Sequence, residues 1–398
     1  RAEALQALVP HLPPALLGEA LATVRAIENE WKRAEALIAL APHLAPDQQP
    51  AVFAEALAVA RAIEFEGWRA EALAALAPHL PPEQQPTVLA EALDAARAIL
   101  AGSDRLRALQ ALAPHLPAEQ QATVYAEALD IARAITIIKS RAEALQALAP
   151  LLPAEQQATV YAEALEAARA IWDADDRVKA LTALAPHLPP GLLANALNAA
   201  RAIGDENQRA DALAALAPRL PQDLLGEALD AAQAIRYYEW ARAKALAALA
   251  PYLPPNLLAE ALDVARAIQD ADNRAKALTA LAHHLPPNQQ ATVYGEALST
   301  AQAAIGNERA RARALAALAP YLPPDQQPDV FTEALSAART IGDAYDRVKA
   351  LQALAHRLAS CPTLDKQFAP TLRALAQRGR PALLGDLRAL QPWLAALA

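Results

Sequence analysis

The sequence predicts an all-α chain: a right-handed α-solenoid of about eleven helix-turn-helix repeats of 32–37 residues, closed by a C-terminal capping helix. Three observations carry this prediction. The pattern Arg-Ala-x-Ala-Leu-x-Ala-Leu-Ala-Pro-x-Leu returns along the chain, with starts at Arg1, Arg33, Arg69, Arg105, Arg141, Arg177, Arg209, Arg242, Arg274, Arg311 and Arg347. Apolar residues make up 55% of the 398 residues and aromatic ones only 4%, which excludes disorder and ordinary sandwich proteins and suits closely packed alanine-rich helices. Within a repeat, leucines such as Leu37, Leu40 and Leu44 fall on one helical stripe.

That stripe is helix A. The proline nine residues after the arginine, as in Pro10, Pro42 and Pro78, falls in its last turns and is expected to remove a hydrogen bond and bend it, with His283 and His356 replacing it in two repeats. Helix B follows, from a Pro-Pro or Pro-x-x-Gln-Gln signal through Glu-Ala-Leu-x-x-Ala-Arg-Ala-Ile. Proline suits its first turn, where N–H groups lack intrahelical partners. Repeat spacings fall into classes of 32–33 and 36–37 residues, and the difference, close to one turn, sits before helix B. A whole added turn keeps every later residue on its buried face. Asp, Glu and Asn between repeats suit the start of the next helix A. This divides the chain into ten helical hairpins over 1–346, a degenerate eleventh over 347–379, and a cap helix over 380–398 that contains Pro392 and Trp393.

The net charge is −8, so neither a nucleic-acid clamp nor a basic membrane-binding surface is expected. Cys361 is the only cysteine, which rules out an internal disulfide and a thiolate cluster within one chain and fits a reducing cytoplasm. No apolar run reaches the ~18 residues of a membrane span. The chain has no methionine and starts directly on a repeat, which reads as an excerpt of a longer protein with further domains.

The helix A segment Ala34-Glu35-Ala36-Leu37-Ile38-Ala39-Leu40-Ala41-Pro42-His43-Leu44 is similar to the first helix of a tetratricopeptide repeat, with HEAT-type packing a near neighbour. In repeat style the array also resembles the sensor repeats that follow the ATPase modules of bacterial STAND or NACHT-type signalling proteins. The resemblance implies a groove lined by the residues two and five positions after each arginine. The first of these positions reads Glu3, Glu35, Glu71, Arg107 and Glu143, then Lys179, Asp211, Lys244, Lys276, Arg313 and Lys349. Acid gives way to base, which would orient an extended partner; a solvated helix face with drifting charge is the plainer alternative.

Residues that repeat without change read as scaffold, and residues that vary read as recognition. The arginine opening each repeat and the Glu of Glu-Ala-Leu are therefore expected to bond carbonyls or carboxylates of an adjacent helix end. Histidines recurring at His11, His43, His79, His115, His187 and His284 read as helix-end residues rather than a metal ladder, because repeats ~8–10 Å apart cannot share a zinc that binds each ring at ~2 Å. The inter-repeat segments vary most and carry four of the five tryptophans. Tyr237, Tyr238 and Trp240 form the strongest candidate contact cluster, with Trp172 and Phe65 as further anchors. Trp31, Trp68 and Trp240 also suit a staple role at the start of helix A. Glu3, Glu35 and Glu71 at one end, and Lys244, Lys276, Arg313 and Lys349 at the other, complete the candidate partner-binding set.

No phosphate-binding loop, zinc-binding His-Glu-x-x-His or nucleophile elbow is present, and the serines lack His and Asp partners at a recurring spacing. The expected function is a non-catalytic protein- or peptide-binding scaffold, without cofactor or metal, serving as the sensing or docking arm of a bacterial signalling protein. An RNA-reading helical repeat and a passive spacer are the alternatives.

Overall fold

The computed structural model describes residue 13 and residues 16–303, 307–358, 366–377 and 380–397; Arg1, Glu3, Pro10, His11 and Cys361 lie outside the described residues. The chain divides into two compact units, Arg1–Trp172 and Asp173–Ala398. The first contains α1 (Leu17–Arg25), α2 (Glu30–Leu40), α3 (Gln49–Ala62), α4 (Glu66–Leu76), α5 (Gln85–Ala98), α6 (Gly102–Leu112), α7 (Ala118–Ala134), α8 (Ile138–Leu148) and α9 (Ala154–Ala170). The second contains α10 (Ala174–Leu184), α11 (Leu193–Arg201), α12 (Glu206–Leu216), α13 (Gln222–Gln233), α14 (Glu239–Leu249), α15 (Pro255–Arg266), α16 (Ala271–Ala282), α17 (Pro287–Gln302), α18 (Glu308–Leu318), α19 (Gln327–Thr340), α20 (Ala344–Leu358), α21 (Phe368–Ala376), α22 (Arg380–Ala389) and α23 (Gln391–Leu397). Among the described residues there is no strand, and no helix is long and apolar enough to cross a membrane.

Within each unit, helix A packs on helix B of its own repeat and on helix A of the next, as α4 does on α5 and α6, and α12 on α13 and α14. Alanine permits this close approach. The alanine of Glu-Ala-Leu, or of Asn195-Ala196-Leu197 in one repeat, is fully inaccessible at Ala56, Ala92, Ala128 and Ala164 in the first unit, and at Ala196, Ala228, Ala261, Ala297 and Ala334 in the second. A larger side chain there has no space to enter. Ala128→Leu is accordingly expected to destabilise the protein by about 1–3 kcal/mol through overpacking, read from its urea-unfolding midpoint; an unchanged midpoint would show that the helices do not meet there.

The proline after helix A ends the helix instead of bending it, which corrects the sequence expectation. Helix α2 stops at Leu40, and Ala41-Pro42-His43 forms one 3₁₀ turn. Proline has no N–H to give to the carbonyl four residues back, and its ring collides with that carbonyl, so the backbone tightens at the residue before it. The same turn holds Pro78, Pro114, Pro150, Pro186, Pro218, Pro251 and Pro320. Where histidine replaces it the α-helix runs on: α16 reaches Ala282, next to His283, and α20 passes through His356 to Leu358.

The two length classes differ in helix B alone. Helices α2, α4, α6, α8, α10, α12, α14 and α18 all have 11 residues. Helix B has 9 or 12 residues in short repeats and 14, 16 or 17 in long ones. The second glutamine of the long signal has a job the sequence did not reveal. Its side-chain amide donates to the carbonyl of the leucine that ends the preceding turn: Gln49 to Leu44 (2.9 Å), Gln85 to Leu80 (2.9 Å), Gln121 to Leu116 (2.8 Å) and Gln157 to Leu152 (2.9 Å). Helix A starts with side-chain caps in several repeats, where Asn29, Asp173, Asp205 and Asp270 each accept the backbone N–H three residues on.

Two arginine ladders join the repeats. In most repeats the opening arginine donates to the carbonyl of the isoleucine ending the previous helix B, as Arg33 does to Ile27 (2.9 Å), Arg69 to Ile63 (2.8 Å), Arg274 to Ile268 (2.7 Å) and Arg347 to Ile341 (3.0 Å). A carbonyl at a helix C-terminus lacks an intrahelical donor, and a guanidinium both satisfies it and complements the helix dipole. The Glu of Glu-Ala-Leu pairs mainly with a different arginine, the one inside helix B of the previous repeat. Arg25–Glu55 (2.6 Å), Arg61–Glu91 (2.8 Å), Arg97–Glu127 (3.0 Å) and Arg133–Glu163 (2.8 Å) form this second row. These pairs are part-exposed, so each contributes within ~0–1 kcal/mol.

At the C-terminus, α20 packs against α22 and α23. The cap expected as one helix is two, because Pro392 cannot continue α22 and instead occupies the first turn of α23. Trp393 is fully buried and meets Phe368 edge-on at 5.0 Å. The Arg347 guanidinium, 1% exposed, bonds both oxygens of the wholly buried Asp386 at 3.0–3.1 Å.

Candidate functional site

The candidate residues within the described structure divide between the two compact units. In the first, the inter-repeat segments bring rings of successive repeats together. Trp31 stacks on Trp68 at 5.4 Å, and Phe65 leans on Trp68 at 4.8 Å. Phe65 and Trp68 remain 49% and 42% exposed and form one wall of a cavity of about 420 Å³. Helices α4 and α6 also bring Glu71, Ala74 and Arg107 to its lining. Residues two and five positions after the arginine thus share one lining. Glu71 is exposed, Glu35 is half-buried, and Arg107 is held by Asp104 one turn earlier at 2.7 Å. Trp172 is 90% exposed at the end of this unit.

In the second unit the aromatic loop before α14 is held by a buried acid. Glu206, 8% exposed in the first turn of α12, accepts the backbone N–H groups of Arg236 (2.8 Å), Tyr237 (2.7 Å) and Tyr238 (3.0 Å). Burial by itself raises this carboxyl, but the bonds from Arg236, Tyr238 and Tyr237 outweigh it, with help from the Arg209 charge, and hold it below its ordinary value. Glu239 repeats the device one repeat later, on the N–H groups of Gln269 (2.8 Å) and Asp270 (2.6 Å). The fixed backbone leaves Tyr237 88%, Tyr238 49% and Trp240 43% exposed. Rotationally simple aromatic rings on an ordered loop lose little entropy on binding a partner.

The basic residues of the second unit are less available than the sequence suggests. Lys244 bonds Asp211 of the preceding helix A, and Lys276 bonds Asp272 within α16. Lys349 lies 4.4 Å over the Tyr345 ring. Arg313 is half-buried and has no ion pair among the described residues. Lys276 also lines a smaller cavity of about 320 Å³ with Thr279, His283, His284 and Tyr321. Burial, followed by the neighbouring His283, lowers the pKa of His284. Of the other recurring histidines, His79 stacks flat on Phe53 at 5.2 Å. Among the described residues no group of three His, Cys, Asp or Glu side chains is placed to hold a metal ion.

No protein-family model matches the chain, and no curated protein matches it. Solved structures do. Ton1535 from Thermococcus onnurineus NA1 aligns over 98% of this chain and 98% of its own, at 16% identity and a TM-score of 0.32. Kap121p bound to Ste12p aligns over 92% of this chain at 12% identity and a TM-score of 0.49, and the chain covers 45% of Kap121p. A Signal Transduction ATPase with Numerous Domains protein with a tetratricopeptide repeat sensor, PH0952 from Pyrococcus horikoshii, aligns over 98% of this chain and 61% of its own, at 12% identity and a TM-score of 0.22. The chain's own helix pairs, stacked through the same alanine faces repeat after repeat, make it a tetratricopeptide- or HEAT-like helical-repeat array.

Proposed function

We propose that this array is a non-catalytic scaffold that binds a protein or peptide, and that it acts as the sensing or docking arm of a larger bacterial signalling protein in the cytoplasm. The observation that carries the binding role is the Tyr237-Tyr238 loop: a buried carboxylate is committed to three backbone N–H groups, and the product of that arrangement is aromatic surface held in solvent. The Phe65-Trp68 cavity, apolar with Glu71 and Arg107 at its wall, supplies a second anchor point. The signalling role rests on repeat style, which resembles STAND-type sensor arrays. RNA reading is less favoured, because Lys244 and Lys276 already carry acid partners.

Tyr237→Ala combined with Tyr238→Ala is expected to weaken partner binding by about 2 kcal/mol or more while leaving the melting temperature nearly unchanged. The test captures partners from a bacterial lysate on the unmodified chain, then titrates the captured protein against both forms. Unaltered affinity would remove the loop from the binding surface. A large drop in melting temperature would instead make the rings structural staples.

A further inference from the structure

Ten of the repeat-opening arginines lie within the described residues, and nine of them make side-chain hydrogen bonds or other contacts. Arg105 is the exception. Its Nε is buried without a partner, as are those of Arg177 and Arg311, but among the ten only Arg105 has a guanidinium with no hydrogen bond or ion pair to the described residues. Arg105 is half-buried, and an Nε–H shut away from solvent without an acceptor is costly unless something else completes it.

Arg105 lines an open cavity of about 900 Å³ formed by the start of α6, the C-terminal half of α7 and the segment that leads into α8. The isoleucine that ends helix B is less buried here than in most repeats, Ile27 being the other half-exposed case. Ile63, Ile99 and Ile171 are buried at 3–5% exposure, whereas Ile135 is half-exposed and faces the cavity together with Ile131 and Ile137. Ser103, Thr136 and Ser140 add hydroxyl groups. Glu127 and Asp130 add carboxylates, each already touching one arginine, Arg97 at 3.0 Å and Arg133 at 3.5 Å, with lone pairs to spare. In the second unit a cleft of about 520 Å³ includes the equivalent arginine, Arg242, but there the guanidinium is spent on the Ile235 carbonyl.

The geometry points to a binding site for a zwitterionic ligand with an apolar side chain, an aliphatic α-amino acid either free or as a short peptide. Its carboxylate takes the Arg105 fork, which suits planar two-point recognition, with hydroxyl donors beside it. Its ammonium is received by Glu127 and Asp130, and its side chain covers Ile131, Ile135 and Ile137. A doubly charged phosphate ester fits poorly, because the two acids in the lining repel it. This site is independent of the aromatic docking surfaces, so either can fail without the other.

Calorimetric titration of the full chain with L-leucine, Leu-Leu and Leu-Leu-Leu is the test, with N-acetylleucine and leucinamide as probes that lack one charge each. Saturable binding of leucine or either peptide below about 10 mM is expected, and the tightest of the three identifies the natural length. Both single-charge probes are expected to bind at least tenfold more weakly, and Arg105→Gln to weaken the best ligand at least tenfold with little fall in melting temperature, since Arg105 has no hydrogen bond or ion pair to lose and glutamine keeps much of its stem. Arg69→Gln, which removes a ladder bond, is expected to lower the melting temperature and leave affinity intact. No saturation by any of the three, equal binding of leucinamide or N-acetylleucine, or full affinity in Arg105→Gln would each overturn the assignment.

Discussion

Asp386→Ala is expected to destabilise the C-terminal end of the protein by about 3–5 kcal/mol, because it strands a guanidinium that the fold has removed from water. Arg347 is 1% exposed; its Nε donates to both carboxylate oxygens of Asp386, and its Nη1 donates to the Ile341 and Gly342 carbonyls. The loss should be local. In a helical-repeat array stability is roughly a sum of repeat and nearest-neighbour terms, so the closing helices α22 and α23 unfold first, and Trp393 fluorescence reports it. Urea unfolding should then show an early tryptophan transition ahead of the loss of helical circular dichroism. Replacing both partners by apolar residues, Arg347→Met with Asp386→Leu, is expected to recover most of the loss, since an ion pair contributes little once its desolvation is counted. A double variant as unstable as the single one would place the stabilisation in the charge pair itself.

The second large effect concerns pH. The Glu206 carboxyl titrates below its ordinary value in the folded protein, so its contribution is fully present above the unfolded value near 4.5 and disappears as pH falls through the lower folded value. Acidification should therefore free the Tyr237-Tyr238 loop before the helices melt, and Glu239 should release the following loop in the same window because its carboxyl is lowered for the same reason. Glu206→Ala is expected to bring the released state to pH 7 at a cost of about 2 kcal/mol, the consequence of removing the acceptor from three N–H groups. Backbone amide exchange of Tyr237 and Tyr238, followed from pH 7 to pH 3, checks both. Protection that persists unchanged at pH 3, or in Glu206→Ala at pH 7, would show that another contact holds the loop.

The periodic part of this fold is legible in the sequence because each repeat samples the same environment again. Leucine spacing, the whole-turn insertion before helix B and the invariant arginine all follow from one repeated face. What the sequence hid are contacts between a periodic position and a variable loop a repeat away. Glu30 and Glu66 stand three residues before Arg33 and Arg69, as Glu206 stands before Arg209, yet among the described residues only Glu206 and Glu239 accept loop N–H groups. Nothing in the residue type separates them; the backbone presented thirty residues later does. Proline 42 and its equivalents were legible as a disturbance but not as a stop, because the alternative of a 3₁₀ turn depends on how the following leucine packs. The charge gradient was legible as composition, and its partial cancellation by Asp211 and Asp272 required three dimensions. The idle state of Arg105 is visible only against nine occupied equivalents.

The central claim is that the regular array holds its variable aromatic residues on a pre-formed backbone. Hydrogen exchange of the free, full chain at pH 7, read at Tyr237 and Tyr238, tests it most directly. Protection comparable to that of the first turn of α14 is the result expected for a loop fixed by Glu206 before any partner arrives. Exchange at the rate of an unstructured peptide would contradict the account, because the aromatic residues would then be ordered by a partner and not by the scaffold.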